Sequence, residues 1–413
     1  MPRYYGWTLV FALGLITIVA YGTVQYFFGV LVVPIEAELG WSRADLSLAY
    51  STALVVAGLL GFPIARYVDR HGARAVLAAG AMAAGAMLLA LSRIAALWQW
   101  EVLWGIGLGV AGAMTLYPVT FTVVANWFHR RRGSAMALLT VLGGLASPIF
   151  IPLAGFLVPR VGWRDTLVVF GLIQIVVAAP IALLAVRRHP EDVGLLPDGG
   201  AGEEEAPPGP LAGIPLAEAV RVLPFWTLTL ATFIGLLASN LLFAHQVAYM
   251  IDRGIDPSVA ANLAGLVGLA SLPGRLLFNV LSDRLPAQRI LAIGQAVLGV
   301  GVLLLALATS LPLVVAYVVV YGAAYGAGAP LIASVRAEHF GRRAFAAIGA
   351  AQGIPALAGA AIGPIAAGSV YDRLGSYVPA FAVVAALYFV SAAAVLATPR
   401  PALVDWRVKD RCT

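Results

Sequence analysis

Charge is what this chain has least of. Only 11% of its 413 residues are charged, 61% are hydrophobic, and the mean hydropathy is +0.91. Soluble domains carry roughly 25% charged residues, so a water-soluble globular fold is excluded. Cysteine is almost missing: Cys412 stands alone, which excludes a disulfide and a thiolate metal site. Carboxylates are missing from the apolar stretches, because all 20 acidic residues fall at span ends, in loops or in tails. A buried acid that would bind an organic cation, as a multidrug exporter needs, is therefore not available. There is no nucleophile–base pair, no two-metal carboxylate cluster and no phosphate loop, so neither an enzyme nor a cofactor is expected. The formal charge of +6 comes without a basic domain carrying interleaved aromatics, so no nucleic-acid partner is expected.

What is there is apolar and continuous. The runs last about 20 residues or more and do not alternate every second residue, so they read as helices rather than barrel strands. Twelve spans are expected, at roughly 7–33, 45–68, 75–96, 98–127, 135–158, 165–186, 223–252, 259–282, 289–309, 311–336, 344–370 and 377–398. Trp7–Val33 has no small-residue cleavage site and reads as a retained first span. The 44 glycines suit close helix packing in lipid. Trp98, Trp100 and Trp104 are expected to form an interfacial belt.

The basic residues sort by side. With the N-terminus inside, nineteen of the 26 Lys and Arg fall on the inner side and six on the outer, Arg43 among the six. The bias puts both termini in the cytoplasm of a multi-pass protein of the plasma (inner) membrane. Arg275 remains, alone inside span eight. A cation there is costly, faces no membrane carboxylate, and so points to an anionic substrate. The polar stretch from His189, with Glu203-Glu204-Glu205 and Pro207-Pro208-Gly209-Pro210, reads as a cytoplasmic linker. The expected domains are 1–188, linker 189–222, and 223–413, the last with a cytoplasmic tail.

Four loop octets resemble each other: Ala65–Gly72, Gly155–Gly162, Asn279–Pro286 and Gly368–Gly375. Asp69 to Pro159 spans 90 residues and Asp283 to Asp372 spans 89. The chain thus reads as four three-span units, paired as inverted repeats into two six-helix bundles. This architecture and the Asp-Arg octets resemble the major facilitator superfamily. Further signatures are Tyr4-Tyr5-Gly6-Trp7, Gly40-Trp41-Ser42-Arg43-Ala44, Trp127–Ala135, Gly162-Trp163-Arg164 and Arg188–Gly199. Together they resemble its bacterial monocarboxylate transporter group, related to the oxalate:formate antiporters.

The resemblance implies a carboxylate-binding arginine in span eight, matched by Arg275. Animal members place a proton-handling aspartate one turn earlier, where this chain has Ser271. Oxalate:formate antiporters add a lysine in span eleven. Here Ala344–Val370 holds no Lys or Arg, which argues for a monoanion. The Asp-Arg pairs Asp69–Arg70 and Asp283–Arg284 are implied to gate the inner side.

The cavity of such a carrier is lined by spans one, four, seven and ten. Candidate substrate-binding residues are Arg275 with Tyr117, Tyr325, Tyr321, Asn240, Gln25, Tyr21 and Gln352, and His245 is the candidate proton carrier. No metal site is expected. The expected function is proton-coupled symport of a lactate- or pyruvate-like monocarboxylate by alternating access, with the monoanion, the proton and the lipid bilayer as partners and a monomer as the working unit. Carriage of aromatic acids or oxalate/formate-type exchange is the alternative, and a multidrug exporter the less favoured one.

Overall fold

The computed structural model describes residues 4–199, 213–341 and 343–399, without the side chains of 275–280 and 282–284. It is all-helical: no β-strand occurs among the described residues. Ten helical stretches are long and apolar enough to cross a membrane. In chain order they include α1 (Tyr5–Leu39), α2 (Arg43–His71), α3 (Arg74–Leu91) and α4 (Leu97–Trp127). The 54-residue stretch Arg132–Ala185 is two helices, α5 (132–161) and α6 (163–185), because Gly162 is non-helical. Phe150 and Phe170 would lie about 30 Å apart on one straight helix, yet their rings are 5.4 Å apart, so the chain reverses at Gly162. Then follow α7 (Leu223–Asp252), α8 (Pro257–Arg284), α9 (Ala287–Ala306), α10 (Leu311–Phe340), α11 (Phe345–Leu374) and α12 (Val378–Ala397). With the split at Gly162 and with α8, twelve long helices stand among the described residues.

The repeat is visible in the backbone. Gly72 (φ 86°, ψ 159°) and Gly162 (φ 83°, ψ 164°) close successive octets in one conformation, a region essentially restricted to glycine. Gly375 closes the fourth octet at φ 64°. In the third, Pro286 turns the chain instead and precedes α9.

Two compact units are resolved by internal contacts. The first comprises 1–203, 239–272 and 360–380; the second comprises 204–238, 273–359 and 381–413. In the first, Leu9, Leu13, Leu77, Val124, Leu139 and Val186 share a buried core drawn from α1, α3, α4, α5 and α6. Bare backbones meet where α3 crosses α6: a Cβ on Gly85 would lie 2.7 Å from the Gly171 carbonyl oxygen, and one on Gly171 2.9 Å from that of Gly85. Lipid gives helices no hydrophobic reason to associate, so this close van der Waals fit is what holds them. The second unit uses the same device. Gly359 faces the Phe233 carbonyl at 2.7 Å, and a Cβ on Gly274 would overlap the Ala323 carbonyl of α10.

The sequence signatures turn out to be staples at helix ends. The hydroxyls of Tyr4 and Tyr5 donate to the carbonyls of Trp127 (2.8 Å) and Ala185 (2.7 Å), tying the start of α1 to the ends of α4 and α6. Trp163 Nε1 donates to Glu38 (2.6 Å), and Arg164 reaches Glu38 and the carbonyls of Ser92 and Ile94. Arg132 caps α4 by donating to the Phe128 and Ala125 carbonyls. Asp198, early in the expected linker, accepts the backbone N–H groups of His129, Arg130 and Arg131.

One expectation is corrected here. Only Trp98 is exposed; Trp100 and Trp104 are wholly buried. Four residues apart, these two share a helix face and pack on Phe28. They are core, not belt.

Candidate functional site

Two backbone irregularities shape the first unit's half-exposed polar wall. α1 carries a π-helical segment at Gly22–Tyr26, and α4 breaks at Leu116 (φ −81°, ψ 179°), ahead of Tyr117 and Pro118. Pro118 has no backbone N–H to bond back to Met114 across the break, and π segments recur at functional sites. The break and the bulge bring Tyr21 and Tyr117 together, rings 4.9 Å apart. The ladder continues from Tyr117 to Phe121 (4.9 Å), from Tyr21 to Tyr26 (5.8 Å), and from Tyr26 to Phe243 of α7 (4.9 Å). Beside it, Asn240 Oδ1 accepts from Gln25 Nε2 and from the Tyr50 hydroxyl, both at 3.4 Å. Gln25, Tyr50, Leu54 and Leu116 line a small, largely apolar cleft. Four sequence candidates, Tyr21, Gln25, Tyr117 and Asn240, therefore form one neighbourhood contributed by α1, α4 and α7.

The second unit holds the others. Tyr321 is buried under Tyr317 and against Gly301, and Tyr325, half-buried, stacks on it at 5.9 Å. Gln352 is fully buried. Its Nε2 donates to the Phe225 carbonyl (3.2 Å), while its Oε1 accepts from Arg336 Nε (2.9 Å). The side chains of Arg275, Asp283 and Arg284 lie outside the described residues; their backbones belong to α8. Asp69 and Arg70 are exposed at the end of α2, and the Asp69 carbonyl accepts from Arg188 (2.8 Å).

His245 lies elsewhere on α7, buried completely. Nε2 is 2.9 Å from the Pro364 carbonyl and 3.1 Å from Ser47 Oγ, and Nδ1 is 2.9 Å from the Tyr377 hydroxyl. The partners dictate the tautomer. A carbonyl only accepts, and the Ser47 hydroxyl already donates to the Arg43 carbonyl (2.6 Å), so the hydrogen sits on Nε2. Tyr377 then donates to Nδ1 while its oxygen accepts from Arg43 Nη1 (3.1 Å). The neutral ring satisfies every partner.

Arg43 is the residue that sequence reasoning misplaced. It was assigned to an outer loop, but it is the first residue of α2 and only 2% exposed. Its fork grips Asp252 of α7 through Nη1 (2.6 Å) and Nη2 (2.9 Å), and Nε donates to Glu36 of α1 (2.9 Å). Its face lies 3.7 Å from the Tyr371 ring of α11. Asp372, the aspartate of the fourth octet, accepts the Arg43 and Ala44 backbone N–H groups (3.1 and 2.9 Å). A carboxylate there complements the positive helix end. The available signal was positional: Glu36, Asp252 and Asp372 all end spans on the same side as Arg43. Sequence gives the side but not the pairing.

Comparison with known proteins bears on the fold and the family. The rat (Rattus norvegicus) protein named Monocarboxylate transporter 13 is 27% identical over 401 residues, covering 95% of this chain and 89% of its own. Among solved structures, a bacterial homologue of the human lysosomal transporter Spinster, in its inward-facing and occupied conformation, superposes with a TM-score of 0.73 at 16% identity, covering 96% of this chain and 97% of that one. The nucleoside transporter NupG (D323A mutant) superposes with a TM-score of 0.74 at 13% identity, covering 94% and 99%. At these identities the two structures speak for the fold. The profile of the Major Facilitator Superfamily matches residues 13–253 and again 228–411; the chain belongs to that superfamily of membrane transporters.

Proposed function

We propose that this transporter carries small monocarboxylates, of the size of lactate or pyruvate, by alternating access between its two sequence halves. The observation that carries the reading is the likeness, over 95% of the chain, to a protein named as a monocarboxylate transporter, joined to Arg275 as the single cation expected deep in a span. A guanidinium presents a planar fork that binds a carboxylate bidentately. Tyr117, Tyr21, Gln25, Asn240 and Tyr325 are the proposed hydroxyl and amide donors. Tyr321 and Gln352 support their neighbours, given their burial.

The Arg43 cluster acts as the outer latch. It joins α2 of the first sequence half to α7, α11 and Tyr377 of the second through five bonds of 2.6–3.1 Å, two to Asp252, one to the Tyr377 hydroxyl and two that cap the helix end with Asp372, while Arg43 Nε ties in Glu36 of α1. Opening on that side requires these bonds to break together. His245 sits behind the latch. A second proton on its ring would turn the Tyr377 hydroxyl away from Nδ1 and disturb the bond to Arg43, so protonation and unlatching are coupled. One proton then accompanies one monoanion, and both termini face the cytoplasm.

A thermal-shift panel of carboxylates from acetate to aromatic acids tests the substrate class. Small monocarboxylates should stabilise the wild type and shift Arg275→Ala far less. Equal shifts in both proteins would remove Arg275 from the site, and stabilisation by aromatic acids alone would move the substrate to the alternative class.

A further inference from the structure

The lack of any Lys or Arg in span eleven argued above for one cationic group. The fold changes that count, because Arg336 of α10 delivers its guanidinium onto α11. Nε is fixed by Gln352 Oε1 at 2.9 Å, and Gln352 is itself anchored to the Phe225 carbonyl. The fork lies over Gly349: a Cβ there would sit 2.6 Å from Nη1 and 3.2 Å from Cζ. Phe345 flanks it, with its ring centre 5.3 Å from Cζ. The side chain is half-buried. Among the described residues no carboxylate pairs with it and no acceptor meets Nη1 or Nη2. An oriented, partly desolvated guanidinium whose terminal edge meets no acceptor among the described residues can receive a carboxylate.

Its level is set by the backbone. Gly274, next to Arg275, packs on Ala323 of α10. Arg336 is thirteen residues further along that helix, about 20 Å at helical rise, toward the end that the charge pattern assigns to the cytoplasm. We propose that Arg336, oriented by Gln352 over Gly349, is a second carboxylate-binding site, a staging point between the Arg275 level and the cytoplasmic mouth. The inference rests on the carrier reading for its substrate class.

Equilibrium binding of labelled lactate to purified full-length protein in phosphatidylcholine nanodiscs tests it. Wild type should show a tight and a weak site. Arg275→Ala should keep the weak site, and Arg275→Ala with Arg336→Gln should weaken it about tenfold or more, the worth of a charge-assisted pair. Arg336→Lys, which keeps charge without the fork, should fall between. Identical isotherms for Arg275→Ala and the double variant would overturn the inference while leaving the carrier reading intact. Absence of any lactate binding to wild type would instead overturn the carrier reading. If Asp283→Asn reproduces the Arg336→Gln effect, the guanidinium serves an ion pair within the chain and the proposal fails. It fails equally if Arg336→Gln changes only the retention of phosphatidylglycerol, since the ligand is then a lipid headgroup.

Discussion

Replacing Arg43 by Ala should open the latch without unfolding the protein. Removing one partner of a buried ion pair costs about 3–5 kcal/mol. Here the carboxylates of Glu36 and Asp252 are 33% and 25% exposed, so water takes over part of their solvation. The figure falls to about 2 kcal/mol, between the buried and exposed limits. That is a factor of about 30 in a two-state equilibrium. An unlatched state held at about 1% would rise to roughly a quarter of the molecules. Spin labels on Arg93→Cys and Arg373→Cys, both exposed positions, in a Cys412→Ser background, would report the change by electron–electron double resonance as a second, longer distance. Arg43→Lys should behave nearly as badly as Arg43→Ala, because an ammonium cannot span Asp252 bidentately and reach Glu36 as well. Asp252→Ala combined with Arg43→Ala should cost less than the sum of the single changes, since each already breaks the same bonds. An unchanged distance distribution in folded Arg43→Ala, with additive effects in the double variant, would refute the latch.

Other outcomes follow from the same geometry. His245→Ala should abolish acceleration of uptake by an imposed pH gradient while exchange persists; uptake still driven by the gradient would place the proton elsewhere. Gly162→Ala should lose about 1–3 kcal/mol by forcing a side chain into φ 83°, whereas Gly133→Ala, in open space within a helix, should be neutral or gain up to about 1 kcal/mol; equal thermal shifts would deny the Gly162 conformation. Partial burial alone would raise the Asp198 carboxyl, but the backbone N–H groups of Arg130, His129 and Arg131 outweigh it and hold it below the usual carboxylate range. A depressed folded-state value stabilises above the unfolded value and is lost only as pH falls through the folded one. Amide exchange at 129–131 should therefore stay slow at pH 5 and quicken only in stronger acid, while Asp198→Asn should be fast already at neutral pH; indistinguishable exchange rates would remove the tether.

How much was legible depended on the kind of physics involved. The spans were readable because lipid demands long, uninterrupted apolar helices, and the octets because Gly72, Gly162 and Gly375 each take a positive φ that side chains disfavour. The two breaks went unread: Pro118 is a sequence signal beside the kink in α4, but nothing in Gly22–Tyr26 announces a π segment. Arg43 read as one outer-loop charge among six, since charge counting assigns sides and cannot pair residues 209 or more positions apart in the chain, such as Arg43 with Asp252. Arg336 was hidden in the same way: a helix end by sequence, it reaches sideways onto Gln352 through a gap that only Gly349 leaves. Trp100 and Trp104 were misread because burial inside a bundle and lodging at an interface use the same residue types.

Counterflow of labelled lactate in liposomes preloaded with unlabelled lactate tests the central claim most directly. Wild type should accumulate label transiently, faster with acid outside, and Arg275→Ala should accumulate none. Wild type that exchanges no small carboxylate, or Arg275→Ala that matches wild type, would contradict the account.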